Sequence, residues 1–257
     1  MKPQKIVILA GKGKSSYILY NALRQEFQIH SIILEEGTPT SVFLKRRLKK
    51  LGLFKVSGQI LFKVLALPLI QLESRKRYRE LWNSFGFDTT LDPAKDPVEY
   101  VDSVNSKQTL ALLKAIEPDL VIVNGTRIIS KNVLQNIPCK FINTHVGITP
   151  KYRGVHGAYW ALVNNDPENC GVTVHFVDQG IDTGQVIYQE NIRPTVKDTF
   201  VTYPLLQLNV GIGLVKKAVS AVLEGAVDVK KPGLESKLWS HPTLIDYLKF
   251  RLLKQVK

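Results

Sequence analysis

Between positions 143 and 182 the chain gathers side chains that carry protons or donate hydrogen bonds: Asn143, His145, Arg153, His156, His175, Asp178 and Asp182. An amide N–H and a protonated imidazole can stabilise an oxygen that turns negative, and a carboxylate can orient an imidazole and hold its charge. A lone histidine is more often a core or surface residue, which is the reading for His30 and His241, but His145 stands in reactive company. Asn143 and His145 are two residues apart, so on an extended chain their side chains leave on the same side. The plainer reading of Asn143 is a cap on a strand end or turn. His175 is either a direct participant or a group that orients others, and Arg153 is either a solvated loop cation or part of the mouth of a site.

The surrounding elements would bring these residues together. Ile6–Ala10, the glycine-bearing turn Gly11-Lys12-Gly13-Lys14, a helix from Ser15 to about Glu26 and a strand Ile29–Leu34 read as a βαβ unit, which implies a parallel sheet with right-handed crossovers. A strand over Val98–Val104, a helix over Ser106–Ile116 and a strand over Leu120–Asn124 resume that rhythm. Phe141–Ile142 reads as a short strand and Val155–Asn165 as a helix. Gly171–Asp178 reads as an alternating strand, with Thr173, His175 and Val177 on one face, which can be wet, and Val186–Gln189 as its hairpin partner. A long helix from about Thr199 to Glu224 and a small helical tail follow. The fold class is α/β, Rossmann-like, with a mostly parallel central sheet and helices on both faces. In such sheets ligands bind beyond the carboxyl ends of the strands, where the chain leaving Ile142 places Asn143 and His145.

Composition narrows the classes. A chain of 257 residues, 44% hydrophobic, can bury a substantial core. Two cysteines, Cys139 and Cys170, are too few for a disulfide scaffold and form no CxxC pair, which fits a reducing compartment. The basic N-terminal start leads into an apolar run too short for a secretory signal and is read as a strand. The glycine turn lacks the third small residue of a dinucleotide fingerprint, with Ser16 in its place, and has Ile8 where a P-loop needs glycine. Its backbone N–H groups at a helix N-terminus could still meet an anionic substrate group.

Two segments are specific. "INTHVGITPKYRGVHGAYWAL" and "GVTVHFVDQGIDTGQVI" resemble the Asn-x-His signature, with its Pro-x-x-Arg-Gly loop, and the aspartate-bearing signature of the folate-dependent formyltransferases. "PDLVIVNGTRIIS" is similar to the strand and loop whose backbone holds the pterin ring in that family. The resemblance spans about 98–225. It implies 10-formyltetrahydrofolate as formyl donor, no metal, and Asn143, His145 and Asp182 as the catalytic trio. Gly125, Arg127, Ile128, Ile129, Arg153, Gly154, Thr173, His175 and Asp178 are the implied binding or neighbouring residues. A neutral amine attacks the formyl carbon; Asn143 and protonated His145 donate to the oxyanion, while Asp182 keeps His145 charged. Gly147-Ile148-Thr149 departs from the Ser-Leu-Leu usual in relatives.

The expected division is a catalytic domain over 1–225, with a basic helical insertion at about 41–85, and a helical tail over 226–257. That tail is too short for the β-barrel that relatives acting on charged transfer RNA append. The expected reaction is formylation of an amino sugar of cell-envelope glycan synthesis. Glycinamide ribonucleotide formylation, formyltetrahydrofolate hydrolysis and a non-catalytic membrane- or RNA-binding module are the alternatives. Expected partners are a small-molecule amine and folate, not nucleic acid. The net charge of +13 is concentrated in the insertion, where eleven Lys and Arg face two Glu. Those cations form either a solvated face, a contact with an anionic membrane or a contact with transfer RNA phosphates. The VSGQILFKVLALPLIQL stretch, broken by Lys63 and Pro68, reads as too short to span a membrane. A cytoplasmic enzyme, peripheral at the inner face of the membrane, is the corresponding localisation.

Overall fold

The computed structural model describes residues 4–230 and 232–257, so Lys2 of the basic start and the first three positions of the expected 1–225 domain lie outside the described residues. The elements are, in order, β1 Ile6–Gly11, α1 Lys14–Leu23, β2 Ile29–Glu35, α2 Thr40–Leu51, α3 Leu53–Leu61, a π-helical turn Phe62–Ala66, and α4 Leu67–Phe85. Then come β3 Val98–Val101, α5 Lys107–Ile116, β4 Leu120–Asn124, α6 Lys131–Asn136, β5 Lys140–His145, β6 Arg153–Gly154 and α7 Gly157–Val163. The chain continues through β7 Gly171–Phe176, β8 Val186–Asn191, α8 Tyr203–Leu223, β9 Leu238–Trp239 and α9 Leu244–Lys254.

The seven-stranded sheet has the order β3-β2-β1-β4-β5-β7-β8, parallel from β3 through β5 and antiparallel at β7 and β8. Strands β1 and β4 are unbroken apolar runs because both faces are covered. On one side Ile6, Ile8 and Ile122 pack with residues of α1 and α8; on the other Val7, Leu9, Val121 and Val123 pack with residues of α5 and α6. Helix starts follow local chemistry. Ser106 accepts from Thr109 N, Ser130 from Val133 N, and Thr243 with Asp246 forms a capping box.

Several boundaries differ from the sequence reading. The strand expected to reach Val104 ends at Val101, and the one expected to reach Asp178 ends at Phe176. The helix expected from Val155 begins at Gly157, after His156 in a left-handed conformation with φ 59°. The helix expected from Thr199 begins at Tyr203, because Thr199 and Thr202 hydrogen-bond to each other across a turn. The expected wet face of β7 is also corrected. Val172 and Val174 are buried in the core, and Thr173 and His175 are buried too, because the Gly147–Thr149 loop closes over Thr173 and Asn143 and Asp182 stand against His175.

The insertion is helical apart from a break at Gly52 and is tied to the body at its far end. Arg77 makes a two-pronged pair with Asp198, Nε to Oδ1 2.8 Å and Nη2 to Oδ2 3.2 Å, and Ser74 Oγ lies 2.6 Å from Thr199 Oγ1. At its near end Gln59 Nε2 donates to the His241 carbonyl at 2.7 Å. The last residues fold back as well. β9 pairs with β6, Trp239 stacks on Tyr152 and Trp160, and Tyr247 of α9 packs on Phe62.

His241 and His156 meet at 2.8 Å, Nδ1 to Nε2, where burial is the main force lowering their pKa values, to about 4 and about 3. Each also repels positive charge nearby: His241 on His156, Arg47 and Lys63 on His241. In the unfolded chain both rings return to about 6.5. From pH 6.5 down to about 4 the unfolded state therefore binds protons that the folded state refuses, so stability present above pH 6.5 is lost as the pH falls. On the order of 1–3 kcal/mol is expected to go over that interval, after allowance for partial exposure of both rings. His241→Asn should flatten the dependence of the melting temperature on pH between 7 and 4.5. An unchanged slope would place the acid sensitivity elsewhere.

Candidate active site

A crevice of about 360 Å³ lies beyond the carboxyl ends of β4 and β5, walled by Val123, Ile128, Val155, Val177 and Ile181 among others. Asn143 and His145 reach it as expected, from the last three residues of β5. The register of β5 against β7 places Asn143 opposite His175 and His145 opposite Thr173. His175 Nδ1 is 2.7 Å from the Phe176 carbonyl and therefore carries the hydrogen. That leaves His175 Nε2 as the acceptor of one Asn143 Nδ2–H at 3.2 Å. This bond turns the amide of Asn143 donor-first towards the crevice and leaves its second N–H unassigned.

Asp182 arrives on the loop between β7 and β8. Its Oδ2 is 3.3 Å from His145 Nδ1 and its Oδ1 is 3.7 Å from His175 Nε2. Gly154 N donates to Oδ2 at 3.0 Å, and Arg153 Nη1 donates to the neighbouring Ile181 carbonyl at 3.0 Å. Asp182 sits at φ 51°, a left-handed conformation that is uncommon outside glycine and tends to persist where the surroundings enforce it. Burial works to raise its carboxyl, but the polar His175 ring beside it, the charge of His145 and the Gly154 amide together hold it below the ordinary carboxylate range.

His145 is enclosed, and both of its ring nitrogens have partners. Nε2 is 2.7 Å from the Tyr152 carbonyl and must be a donor there, while Nδ1 faces Asp182. Burial is the strongest influence and pulls the imidazolium below the usual histidine range; the Asp182 carboxylate and the Tyr152 carbonyl push back. No residue type marks Tyr152 in advance, because its contribution is a backbone carbonyl.

The other expected site residues divide by what they touch. Gly125, Arg127, Ile128, Ile129, Gly154 and Asp178 border the crevice. The Arg127 guanidinium is already engaged, at 2.7 Å from Glu35 Oε2 and 2.7 Å from the Glu36 carbonyl, and its backbone N–H donates to Glu35 Oε1 at 2.6 Å. Arg127 thus pins the loop over 125–129 to β2. Asp178 caps the turn that carries Asp182, accepting from Gly180 N at 2.9 Å and Thr183 Oγ1 at 2.7 Å. Thr173 is fully buried and does not border the crevice. Its hydroxyl donates to the Gly147 carbonyl at 2.8 Å and accepts from Thr149 N at 3.1 Å, which holds the Gly147–Thr149 loop. That loop has no spare room, since a Cβ on Gly147 would stand 2.8 Å from His145 Nε2.

The glycine turn is similarly committed. A Cβ on Gly11 would meet the Gly125 carbonyl at 2.5 Å, so glycine is needed there for β1 to approach the loop after β4. Lys12 pairs with Glu36, and Lys14 lies over the Trp82 ring of α4 at 5.2 Å.

A doubly wound sheet whose carboxyl-end crevice collects an amide, two imidazoles and a buried carboxylate is the framework of the formyl transferase fold. Residues 92–204, which carry every one of those groups, match the family model described as Formyl transferase. It is 35% identical over 128 residues to a methionyl-tRNA formyltransferase of Pelotomaculum thermopropionicum, a match covering 49% of this chain and 41% of that protein. The chain thus matches less than half the length of that relative. In fold it is similar to a phosphoribosylglycinamide formyltransferase of Anaplasma phagocytophilum, with TM-score 0.58, 16% identity, and 92% of this chain and 98% of that one covered. It is also similar to a sugar N-formyltransferase of Shewanella sp., with TM-score 0.57, 14% identity, and 92% and 76% covered.

Proposed function

We propose that this chain transfers a formyl group from 10-formyltetrahydrofolate, the donor used by the formyl transferase family, to the primary amine of an amino sugar destined for cell-envelope glycan. The observation that carries this reading is the contact of Asp182 Oδ2 with His145 Nδ1 at 3.3 Å beside the inward-facing amide of Asn143. For the donor, the flat apolar walls of Val123, Ile128, Val155 and Ile181 suit a fused ring, and the pinned loop over 125–129 offers backbone groups at its edge.

In this reading the free N–H of Asn143 donates to the formyl oxygen as it becomes negative. When the His145 ring is protonated, its Nδ1–H towards Asp182 can be shared with the same oxygen, which revises the expectation that His145 is a fully available donor. As the amine attacks, Asp182 accepts its proton, directly or through water, and the departing folate nitrogen is protonated in turn. His175 and Tyr152 act by holding Asn143 and His145 in place.

Two features favour a sugar amine over glycinamide ribonucleotide. Lys12 and Lys14 at the first turn are engaged by Glu36 and Trp82 rather than left for a phosphate, and a long insertion covers that side. Glycinamide ribonucleotide formylation is the second reading, favoured by the near-complete coverage of the Anaplasma relative's fold. Placement in the cytoplasm, with the insertion's cations against an anionic leaflet, completes the proposal.

The test supplies formyltetrahydrofolate with amino-sugar nucleotides, with glycinamide ribonucleotide or with no amine, and follows release of tetrahydrofolate by wild type and His145→Ala. Turnover is expected only for wild type and only with the sugar amine. Release without amine would identify a hydrolase, and RNA or lipid binding with no turnover on any amine would identify a non-catalytic module.

A further inference from the structure

The insertion carries two apolar stripes where a surface helix needs one. Its inner stripe is Val56, Phe62, Ala66, Ile70 and Leu81, all buried against the body. Its outer stripe is Phe54, Leu61, Val64, Leu65, Leu69 and Leu72, all exposed, with Phe54 at 95%. Helix α9 repeats the arrangement, burying Tyr247 and exposing Ile245, Leu248, Leu252 and Leu253. Because Tyr247 packs on Phe62, α9 lies alongside the π-helical turn, and the two outer stripes belong to neighbouring elements.

The borders of this surface are cationic. Lys45, Arg46, Lys49, Lys50, Lys55, Lys63, Arg75, Lys76 and Lys249 are exposed. Of the two insertion glutamates, Glu73 is neutralised by Arg251 at 2.7 Å and Lys257 at 3.3 Å. Large exposed apolar patches mark interaction surfaces, but protein interfaces are depleted in lysine. Projecting leucines and phenylalanine between lysines and arginines are the pattern of helices that lie in the plane of an anionic membrane interface.

The Leu53–Phe85 stretch is long and apolar enough to cross a bilayer, with mean hydropathy 1.6 in its best window. Its inner side is nevertheless fastened to the body through Gln59, Phe62, Ser74 and Arg77, so it can lie on a membrane without leaving the fold.

We propose that the outer stripes of α3–α4 and α9 together form one insertion surface for an anionic lipid leaflet, with apolar side chains entering the acyl boundary and the Lys/Arg border at the head groups. This goes beyond a contact made by the insertion's charges alone, and it does not depend on which amine is formylated. A charge contact vanishes when the Debye length shrinks to about 3 Å at 1 M salt, whereas apolar insertion survives.

The full chain should co-sediment with phosphatidylcholine vesicles containing phosphatidylglycerol, and binding should weaken but persist at high salt. Phe54→Ser with Leu65→Ser and Leu69→Gln, and separately Ile245→Ser with Leu252→Ser, should each lower partitioning by roughly tenfold or more. Lys49→Glu with Lys50→Glu should weaken only the low-salt binding. As a second readout that keeps the fold intact, the emission of a Phe54→Trp variant should shift to the blue on vesicles and be quenched by brominated acyl chains. Absence of vesicle binding overturns the proposal, as does binding that is abolished by salt and indifferent to the apolar variants. Self-association through this face, lost in the same variants and unaccompanied by vesicle binding, would assign the surface to a second copy of the chain instead.

Discussion

Asp182→Asn is expected to reduce kcat/KM for formyl transfer by ~10²–10⁴ while the protein folds normally. Asparagine has the same shape and tolerates the left-handed backbone at φ 51° at least as well as aspartate, so the loop is not disturbed. What changes is charge. The Asp182 carboxylate is the largest of the influences that keep the buried His145 imidazolium from falling further below the histidine range. Without it burial acts on His145 unopposed by any carboxylate, and no group remains to accept the amine's proton. Because the Asp182 carboxyl is itself held below its ordinary range, the wild-type carboxylate should remain ionised into mildly acidic solution. A variant within tenfold of wild type, with melting temperature unchanged, would remove Asp182 from the mechanism.

The second large effect concerns the amide. Asn143→Ala should lower kcat by ~10²–10³ with little change in KM, the pattern of a donor whose bond matters in the transition state rather than in binding. His175→Ala tests the bond that aims this amide, Nδ2 to Nε2 at 3.2 Å. Its loss leaves Asn143 free to rotate and should reduce kcat by about 10–100-fold. In Asn143→Ala there is no amide left to aim, so adding His175→Ala should cost much less than it does in wild type. Full additivity of the two losses would show that His175 acts on the reaction independently of Asn143.

Much of this site could be read along the chain. A two-residue period on an extended strand puts Asn143 and His145 on one side, and the α/β rhythm puts that strand's end at the crevice. The glycine-rich turn after Phe176 also announced a reversal that could return Asp182 to the same place. These features depend on local geometry, which residue type and spacing determine. The ends of elements were less legible, because side-chain hydrogen bonds such as that between Thr199 and Thr202 compete with the helix at its first turn.

Other features were decided only when loops and strands closed on one another. Tyr152 engages His145 through a carbonyl, a group every residue has, so no residue type marks it. Arg127 borders the crevice but its guanidinium is committed to Glu35, which β2 delivers beside it, and Thr173 is a buried brace because loop and strand close over it. The outer stripe of the insertion read as ordinary helical leucines, since periodicity shows how many apolar faces a helix has but not which of them the body covers. From its own residues, then, the chain specified the α/β sheet and the spacing that puts Asn143 and His145 on one side, while Asp182 entered through the resemblance to the formyltransferases. Which donors are free, which cations are committed and which apolar face is left to the surroundings were set by the tertiary fold, because each depends on partners tens of residues away.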